Sequence, residues 1–401
     1  MVTEEQKSLI KATVPFLRTN GVELTDHFYR RMFLHNPELK HVFNMGNQSN
    51  GKQQTALAMA VLAYADHIDN PGVLMPVLDG IGQKHVSLGI RPEHYNIVGK
   101  HLLAAIAEVV GEGATEELLE AWEVAYFDLA DLMSGHEASL YKNRVAKKGG
   151  WSGWRPFRVD SKVEESSEIT SFYLYPADGG EVADFRPGQY ISVKVFLPNI
   201  NLFQPRQYSI STAPNGRYYR ISVKRETASD INLNGMISNH LHDHIKVGDI
   251  LDVSSPSGSF VLQDTEKPVV FISGGIGQTP LVAMLESMVN SGNNKETTWI
   301  HGSRDTKVHA FRKQLDDWAD RHPNLSKHIF YNDLEENIVS SQHYAGRVEL
   351  SYLEKLNPDA EYYVCGPKPF IEKQFSDLLE RGISRNTIFF EEFGPQSLHL
   401  S

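Results

Sequence analysis

Cysteine is nearly absent from this 401-residue chain: Cys365 stands alone. One cysteine excludes an internal disulfide and any Cys-based metal or iron–sulfur site, and it suits a reducing compartment. A secretory leader is also missing, because residues 1–7 (MVTEEQK) are polar and acidic with no apolar core behind them. No run approaches the ~20 apolar residues that span a bilayer. We therefore expect a cytoplasmic protein without stable membrane insertion. Positive charge is in deficit, with 39 basic against 50 acidic residues and a net charge of −11. That argues against a nucleic-acid or anionic-membrane partner. What remains, 41% hydrophobic and 22% charged, is the composition of an ordinary globular protein long enough for two or three domains. Neither an internal repeat nor a low-complexity tract is evident.

From residue 4 to about 144 the apolar period is helical. Leu118, Trp122, Ala125, Leu129, Leu132, His136 and Leu140 recur at three- and four-residue steps. Asn36-Pro37-Glu38 and Arg91-Pro92-Glu93 read as helix starts, with Pro at the first helical position. Six or seven helices in ~140 residues is the arithmetic of a globin. The basic, Gly-rich stretch 147–153 (KKGGWSG) reads as a linker. Short alternating runs follow at 157–159, 169–175, 190–196, 219–224 and 250–253, separated by turns such as Pro187-Gly188, Pro214-Asn215-Gly216 and Val247-Gly248-Asp249. That is an antiparallel barrel pattern. From Pro268 the pattern turns to βαβ: buried strands at 269–273, 299–302 and 362–366, and helices at 281–290, 309–321 and 367–381. The expected fold is multidomain: an all-α globin over 1–146, a linker over 147–153, an antiparallel β-barrel over 154–264, and an α/β nucleotide-binding domain over 265–401.

Three motifs carry chemistry in the second half: Arg206-Gln207-Tyr208-Ser209, Gly274-Gly275-Ile276-Gly277-Gln278-Thr279-Pro280 and Cys365-Gly366-Pro367. The Gly-rich run lies between a strand and a helix, where backbone N–H groups and the helix dipole suit a pyrophosphate. Alone it is also an ordinary tight turn. Together, and in this order, the three resemble the ferredoxin–NADP reductase superfamily. The resemblance implies FAD bound by Arg206 (pyrophosphate), Gln207, Tyr208 (stacked on the ring) and Ser209 (near N5), with Tyr190 lining the site. It implies NADH or NADPH held by Gly275, Ile276, Gly277, Gln278, Thr279 and Pro280, with Cys365, Gly366 and Pro367 closing the nicotinamide side. The C-terminal Glu391, Glu392, Phe393, Gly394 and Pro395 would complete the flavin site, Phe393 as a cover and Glu391 as a modulator of potential. A small buried residue at a strand end describes Cys365 equally well. Arg304 suits either a 2′-phosphate or a plain surface role.

The first half contains fewer signals and more alternatives. Of 17 histidines, any one is more often a surface or core residue than a ligand. His85 stands out by context, ending an apolar helical stretch (Leu74, Val77, Leu78, Ile81) before Gly89. A helix end of that kind can aim a ring nitrogen into an apolar pocket. Gln53 and Leu57, four apart, face one way and suit a hydrogen-bonding group beside a steric wall. Tyr29 reads either as a donor to a bound ligand or as a core tyrosine bonded to a carbonyl. Phe43 can wedge a planar group. Glu137 shares an apolar stripe with Tyr126, Ala130 and Met133, so it needs a partner, and Tyr95 and Lys84 are candidates.

The stretches Leu24–Phe33 (LTDHFYRRMF), His35–Lys40 (HNPELK), Gln83-Lys84-His85 and Tyr95–Gly99 (YNIVG), with the three reductase motifs, make the chain from residue 1 to about 397 resemble the bacterial flavohaemoglobins. The resemblance implies haem b with His85 as proximal ligand, Tyr29 as distal stabiliser, Tyr95 and Glu137 behind the proximal imidazole, and Phe43, Gln53, Leu57 and Lys84 in the haem pocket. Lys84 and Glu391 would tune potential. It implies a nitric oxide dioxygenase acting as a monomer on NO and O2: NAD(P)H reduces FAD, FAD reduces haem, and NO becomes nitrate. An O2- or NO-binding sensor, or a flavin, ferric or peroxide reductase, are the other readings. Two features depart from the family: a longer segment at Thr227–Gly235, and Glu392 where a smaller residue is common.

Overall fold

The computed structural model describes residues 2–226, 235–334, 342–353 and 356–394. Its first part is helical: α1 Glu4–Ala12, α2 Val14–His35, α3 Met45–Ser49, α4 Lys52–Asp66, α5 Met75–Leu88, α6 Pro92–Val110 and α7 Glu116–Ala146. Local signals set the ends. Thr3 and Gln6 form a capping box on α1, Thr115 caps α7, and Gly89 ends α5 in the left-handed region at φ 78°. Asn36 behaves differently from the sequence expectation. After it comes only a 3-10 turn, Pro37–His41, because its side chain bonds elsewhere: Oδ1 to His101 Nε2 (2.9 Å) and Nδ2 to Glu38 (2.8 Å). On α7 the stripe read through Ala130, Met133 and Glu137 is buried, whereas Leu132, read on the other apolar stripe, is exposed. Glu137 thus lies in the core.

The middle part is an antiparallel sheet of β1 Trp154–Glu164, β2 Ile169–Pro176, β3 Tyr190–Leu197, β4 Leu202–Ser209, β5 Tyr219–Lys224 and β6 Ile250–Ser254, in the order β4-β3-β6-β1-β2-β5. A bridge between Ile210 and Ile221 brings its two edges together, which curls the sheet into the expected barrel. Strand β4 was legible only as a motif. Pro205 interrupts its pattern, which an edge strand tolerates. Helix α8, Met236–Asp243, follows β5, and the long segment 227–234 just before it lies outside the described residues. The stretch between α7 and β1 is packed down: Trp151 donates to the Val253 carbonyl (3.2 Å) and lies under Arg155.

The last part alternates: β7 Val269–Gly274, α9 Gln278–Asn290, β8 Thr297–Ser303, α10 Arg312–Arg321, β9 Leu325–Tyr331, β10 His343–Ala345, β11 Glu361–Gly366, α11 Lys368–Glu380 and β12 Ile388–Glu392. The sheet order is β10-β9-β8-β7-β11-β12, all parallel. β7 and β11 are buried along their whole length, as a sheet covered on both faces requires. Helix α9 starts three residues earlier than its apolar pattern, at Gln278, so the Gly-rich run leads straight into its first turn. Edge strands β10 and β12 and the inner strand β9 have weaker apolar patterns and were not foreseen. The parts are joined face to face, α5 against β3 and the 37–41 turn against β4.

Gly277 sits where that first turn crosses β11, and a Cβ there would run into the Cys365 carbonyl. Because the obstacle is backbone, Gly277→Ala is expected to cost about 1–3 kcal/mol, the usual range for overpacking. Thermal unfolding of the variant should show a lowered midpoint; an unshifted melt would mean the two segments separate freely.

Candidate active site

Three helices converge behind one imidazole. His85, near the end of α5, places Nδ1 2.8 Å from Glu137 Oε1 on α7 and 3.0 Å from the Tyr95 hydroxyl on α6. The Tyr95 hydroxyl itself donates to the same carboxylate oxygen (2.6 Å). Tyr126 secures the arrangement by donating to the Tyr95 carbonyl (2.7 Å). A carboxylate can only accept, so His85 carries its proton on Nδ1 and leaves the Nε2 lone pair free. Glu137 is 2% exposed, and its Oε2 has no hydrogen-bond partner. Burial, together with the Glu137 charge, pushes the Tyr95 phenol far above its ordinary range, so it stays a donor.

His85 lines a largely apolar cavity shared with Phe28, Phe43, Leu57, Leu102 and Trp122. Tyr29 from α2 and Gln53 from α4 line it too. Tyr29 packs edge-on to Phe43, ring centroids 6.0 Å apart. Burial raises its hydroxyl to about 12, opposed by the side-chain amides of Gln53 and Gln48. Gln48 was not singled out in the sequence. Its amide is buried on the short helix α3 without a hydrogen-bond partner on either atom, and only its position beside Tyr29 gives it meaning. The donor chemistry of this cavity is specific. One imidazole offers a lone pair, and among the described residues no three His, Cys, Asp or Glu side chains gather to hold a bare ion. An iron held by His85 must bring its remaining ligands in a planar macrocycle, and the apolar walls with an aromatic wedge fit one.

A second cleft adjoins this cavity. Arg206, Gln207, Tyr208 and Ser209 from β4 line it with Tyr190 from β3, and Glu391, Glu392, Phe393 and Gly394 close it from β12 and just beyond. Pro395 lies outside the described residues. The half-buried Arg206 guanidinium donates to the Pro205 carbonyl (2.8 Å), and desolvation pulls its pKa down to about 10. A cation so placed fits a pyrophosphate. Burial pushes the Tyr190 and Tyr208 phenols up. Lys84 corrects one expectation: it turns away from Glu137, donates to the Gly394 carbonyl (2.8 Å) and faces Glu391 and Glu392. Burial raises the Glu391 carboxyl to about 8 against the pull of Lys84 and lowers Lys84 to about 8. Lys84 and Gln207 line both cavities.

The third motif group meets the cleft at its rim. Ile276 and Thr279 reach it from the Gly-rich loop, where Gly275 has φ 54°. Gln278 is buried with Nε2 unpartnered, Pro280 is buried in the first turn of α9, and Thr279 caps back to the Ile276 carbonyl (3.0 Å). Cys365 is fully buried at the end of β11, in register with Glu391, and Gly366 and Pro367 lead into α11. Arg304 is engaged by Glu168 (2.5 Å) and Asp305 (3.6 Å).

Known proteins resemble every part of this arrangement. The sequence matches the globin family over residues 26–133, the oxidoreductase FAD-binding domain over 156–262 and the oxidoreductase NAD-binding domain over 271–375. It is 51% identical to the flavohemoprotein of Chromobacterium violaceum, covering 98% of both chains. It is 49% identical to that of Bordetella parapertussis, covering 98% of this chain and 99% of the relative. Among solved structures, the flavohemoglobin of Malassezia yamatoensis with bound FAD and heme superposes with a TM-score of 0.87 at 26% identity, over 98% of this chain and 100% of that one. The flavohem-like FAD/NAD-binding domain of the nitric oxide dioxygenase from Vibrio cholerae matches 61% of this chain and all of its own, at 36% identity and a TM-score of 0.56.

Glu391 gives a pH test. Its folded pKa, about 8, lies above the ordinary 4.5, so the folded chain holds this proton more tightly than the unfolded one. The resulting stability is complete below the ordinary value and is lost as pH rises through about 8. Denaturant unfolding at about pH 5 and about pH 9 should show the wild type losing stability relative to Glu391→Gln as pH rises. A constant difference would mean that the carboxyl is solvated.

Proposed function

Because the chain belongs to the flavohemoprotein family, with haem, FAD and nicotinamide-nucleotide sites in one polypeptide, we propose that it is a nitric oxide dioxygenase. It would consume NO and O2 with electrons from NAD(P)H and release nitrate, as a cytoplasmic monomer. The observation that supports this best is the pairing of a carboxylate-bound imidazole with a buried phenol in one apolar cavity. When bound, the flavin accepts hydride and releases electrons singly, and the haem iron binds O2.

The chain's own residues do the rest. Arg206 and the first turn of α9 bind phosphate groups, Tyr208 and Tyr190 stack around the flavin, and Gln207 and Ser209 hydrogen-bond its polar edge. Gly275, Ile276 and Gly277 let the nucleotide approach the backbone, Gln278, Thr279 and Pro280 orient it, and Cys365, Gly366 and Pro367 close its other side. Glu392, Phe393, Gly394 and Pro395 cover the cleft. His85 holds the iron by Nε2. Glu137, by accepting the Nδ1 proton with Tyr95 alongside, makes the ring a stronger electron donor. That bias favours O2 activation over storage. Tyr29 would offer its hydroxyl proton into the cavity as a hydrogen-bond donor, Gln53 and Leu57 would set the polarity and size of the space beside it, and Phe43 would wedge the macrocycle. Lys84 and Glu391 would tune potential from between the two cofactors, as a cation beside a carboxyl that loses its proton only at about pH 8. The functional divisions of this reading are 1–146, 147–153, 154–264 and 265–401.

The decisive experiment adds NO in air to protein reduced with NADH. NO-dependent NADH consumption with nitrate as product supports the dioxygenase. A stable NO adduct without nitrate identifies a gas-binding protein, and NADH oxidation indifferent to NO identifies a reductase of another acceptor. Tyr29→Phe should retain haem while O2 dissociates faster and NO turnover falls about ten- to a hundredfold, the order set by one preorganised donor; an unchanged O2 off-rate removes Tyr29 from the mechanism. His85→Ala should purify with little Soret absorbance yet full NADH–ferricyanide reductase activity. Retained haem would show that another residue holds the iron.

A further inference from the structure

Strand β4 is a wall common to both cavities. Pro205 and Gln207 line the helical cavity, and Arg206 through Ser209 line the adjoining cleft. An edge strand has one row of backbone groups without a ladder partner, so something else must hold it in place. Here the helical part does so at two points.

The first tie is Gln204, 1% exposed. Its Oε1 accepts from the Met45 N–H (3.0 Å), and its Nε2 donates to the Lys40 carbonyl (2.8 Å) and to that of Phe203 (2.8 Å). Beside it the Phe203 N–H donates to His41 Nδ1 (3.0 Å). Both amide hydrogens and the oxygen of Gln204 are thus used, and two of the three bonds cross to the segment that carries Phe43. The second tie runs from Gln207 Nε2 to Ser192 Oγ (3.2 Å), from Ser192 Oγ to Ser87 Oγ (3.0 Å), and from Ser87 Oγ to the Lys84 carbonyl (2.7 Å). That carbonyl precedes His85. The strand is therefore bound to the helical part on both the Phe43 side and the His85 side.

We propose that Gln204 is a positioning residue for electron transfer: it fixes the flavin-binding strand against the haem cavity, with Ser192 holding the other end. This rests on the reading given above. Oxidation of one NADH to NAD+ and a proton supplies two electrons, one for each ferric-to-ferrous reduction, and β4 forms part of the wall they pass, with Asn44, Asn47 and Lys84 lining both cavities beside it. Electron transfer through protein falls steeply with distance. A small separation at this wall slows it while leaving hydride delivery from the Gly-rich loop side of the cleft, where Ile276 and Thr279 line it, untouched. A buried amide that has lost its partner also costs free energy at the contact itself, so the tie is either made in full or opens.

The test uses holoprotein carrying haem and FAD, mixed anaerobically with NADH under CO. In Gln204→Leu, flavin bleaching and NADH–ferricyanide reductase activity should match the wild type, while the ferrous–CO band should form at least about tenfold more slowly, as expected for ångström-scale misplacement of reacting groups. Gln204→Glu keeps the acceptor for Met45 but loses the donors, and should fall between. Hydrogen–deuterium exchange gives a readout independent of activity: the Met45 amide should exchange faster in Gln204→Leu, and segment 40–45 with it. Haem reduction at the wild-type rate in both variants overturns the proposal, as does equal slowing of flavin and haem reduction. If Gln204→Leu does not load its cofactors, the Gln204→Glu rates and exchange decide alone. None of these readouts uses NO, so they stand apart from failure of the dioxygenase reading, which would appear as absent nitrate with normal haem reduction.

Discussion

One buried carboxylate constrains the helical half. Glu137 is charged chemistry inside an apolar core, a position that is unfavourable unless its oxygens are bonded. The two donors it finds, His85 and Tyr95, come from two other helices. Meeting that need fixes the crossing of α5, α6 and α7 at one point. It also fixes the tautomer of His85 and directs its remaining lone pair to the cavity. The side chain that would weaken the core if left alone is the one that sets which imidazole nitrogen carries the proton. Tyr126, bonded to the Tyr95 carbonyl, extends the same lattice one step further and lines the cavity as well.

The reductase half depends on a different constraint, the crowding of backbone against backbone. Gly277 lies against the Cys365 carbonyl, which draws the nucleotide loop onto the end of β11. Parallel pairing then places Glu391 beside Cys365. A glycine, a buried thiol and a buried acid meet because three strands end together at the carboxyl edge of the sheet, where doubly wound folds bind their ligands.

Much of this was legible in the sequence, for physical reasons that differ by residue. The helical period and the Pro and Gly punctuation mark elements with strong local preferences, so the succession of α, antiparallel β and α/β parts could be read directly. Motifs that need glycine or a bidentate cation were legible too. Position relative to a partner was not. Lys84 adjoins His85 in sequence, yet consecutive helical residues point apart, and it faces Gly394 and Glu391 instead. Leu132 fits the apolar period of α7 but lies off its buried stripe. Strands β4 and β12 were hidden because an edge strand needs no continuous apolar pattern. Gln48 and Gln204 gave no signal at all, since a buried amide is recognisable only by what surrounds it.

The chain order of these parts has a consequence for biogenesis. Residues up to Ala146 supply all of the helical cavity's lining except Pro205 and Gln207, whereas the adjoining cleft waits for Glu391 and Gly394 on and beyond the last strand. Domains fold largely as units and in the order of synthesis. The globin half is thus nearly complete while most of the reductase is still on the ribosome. The globin end of the molecule is assembled first, and the reductase cleft is completed last, when the final strand adds to the sheet edge and Lys84 gains its carbonyl partner.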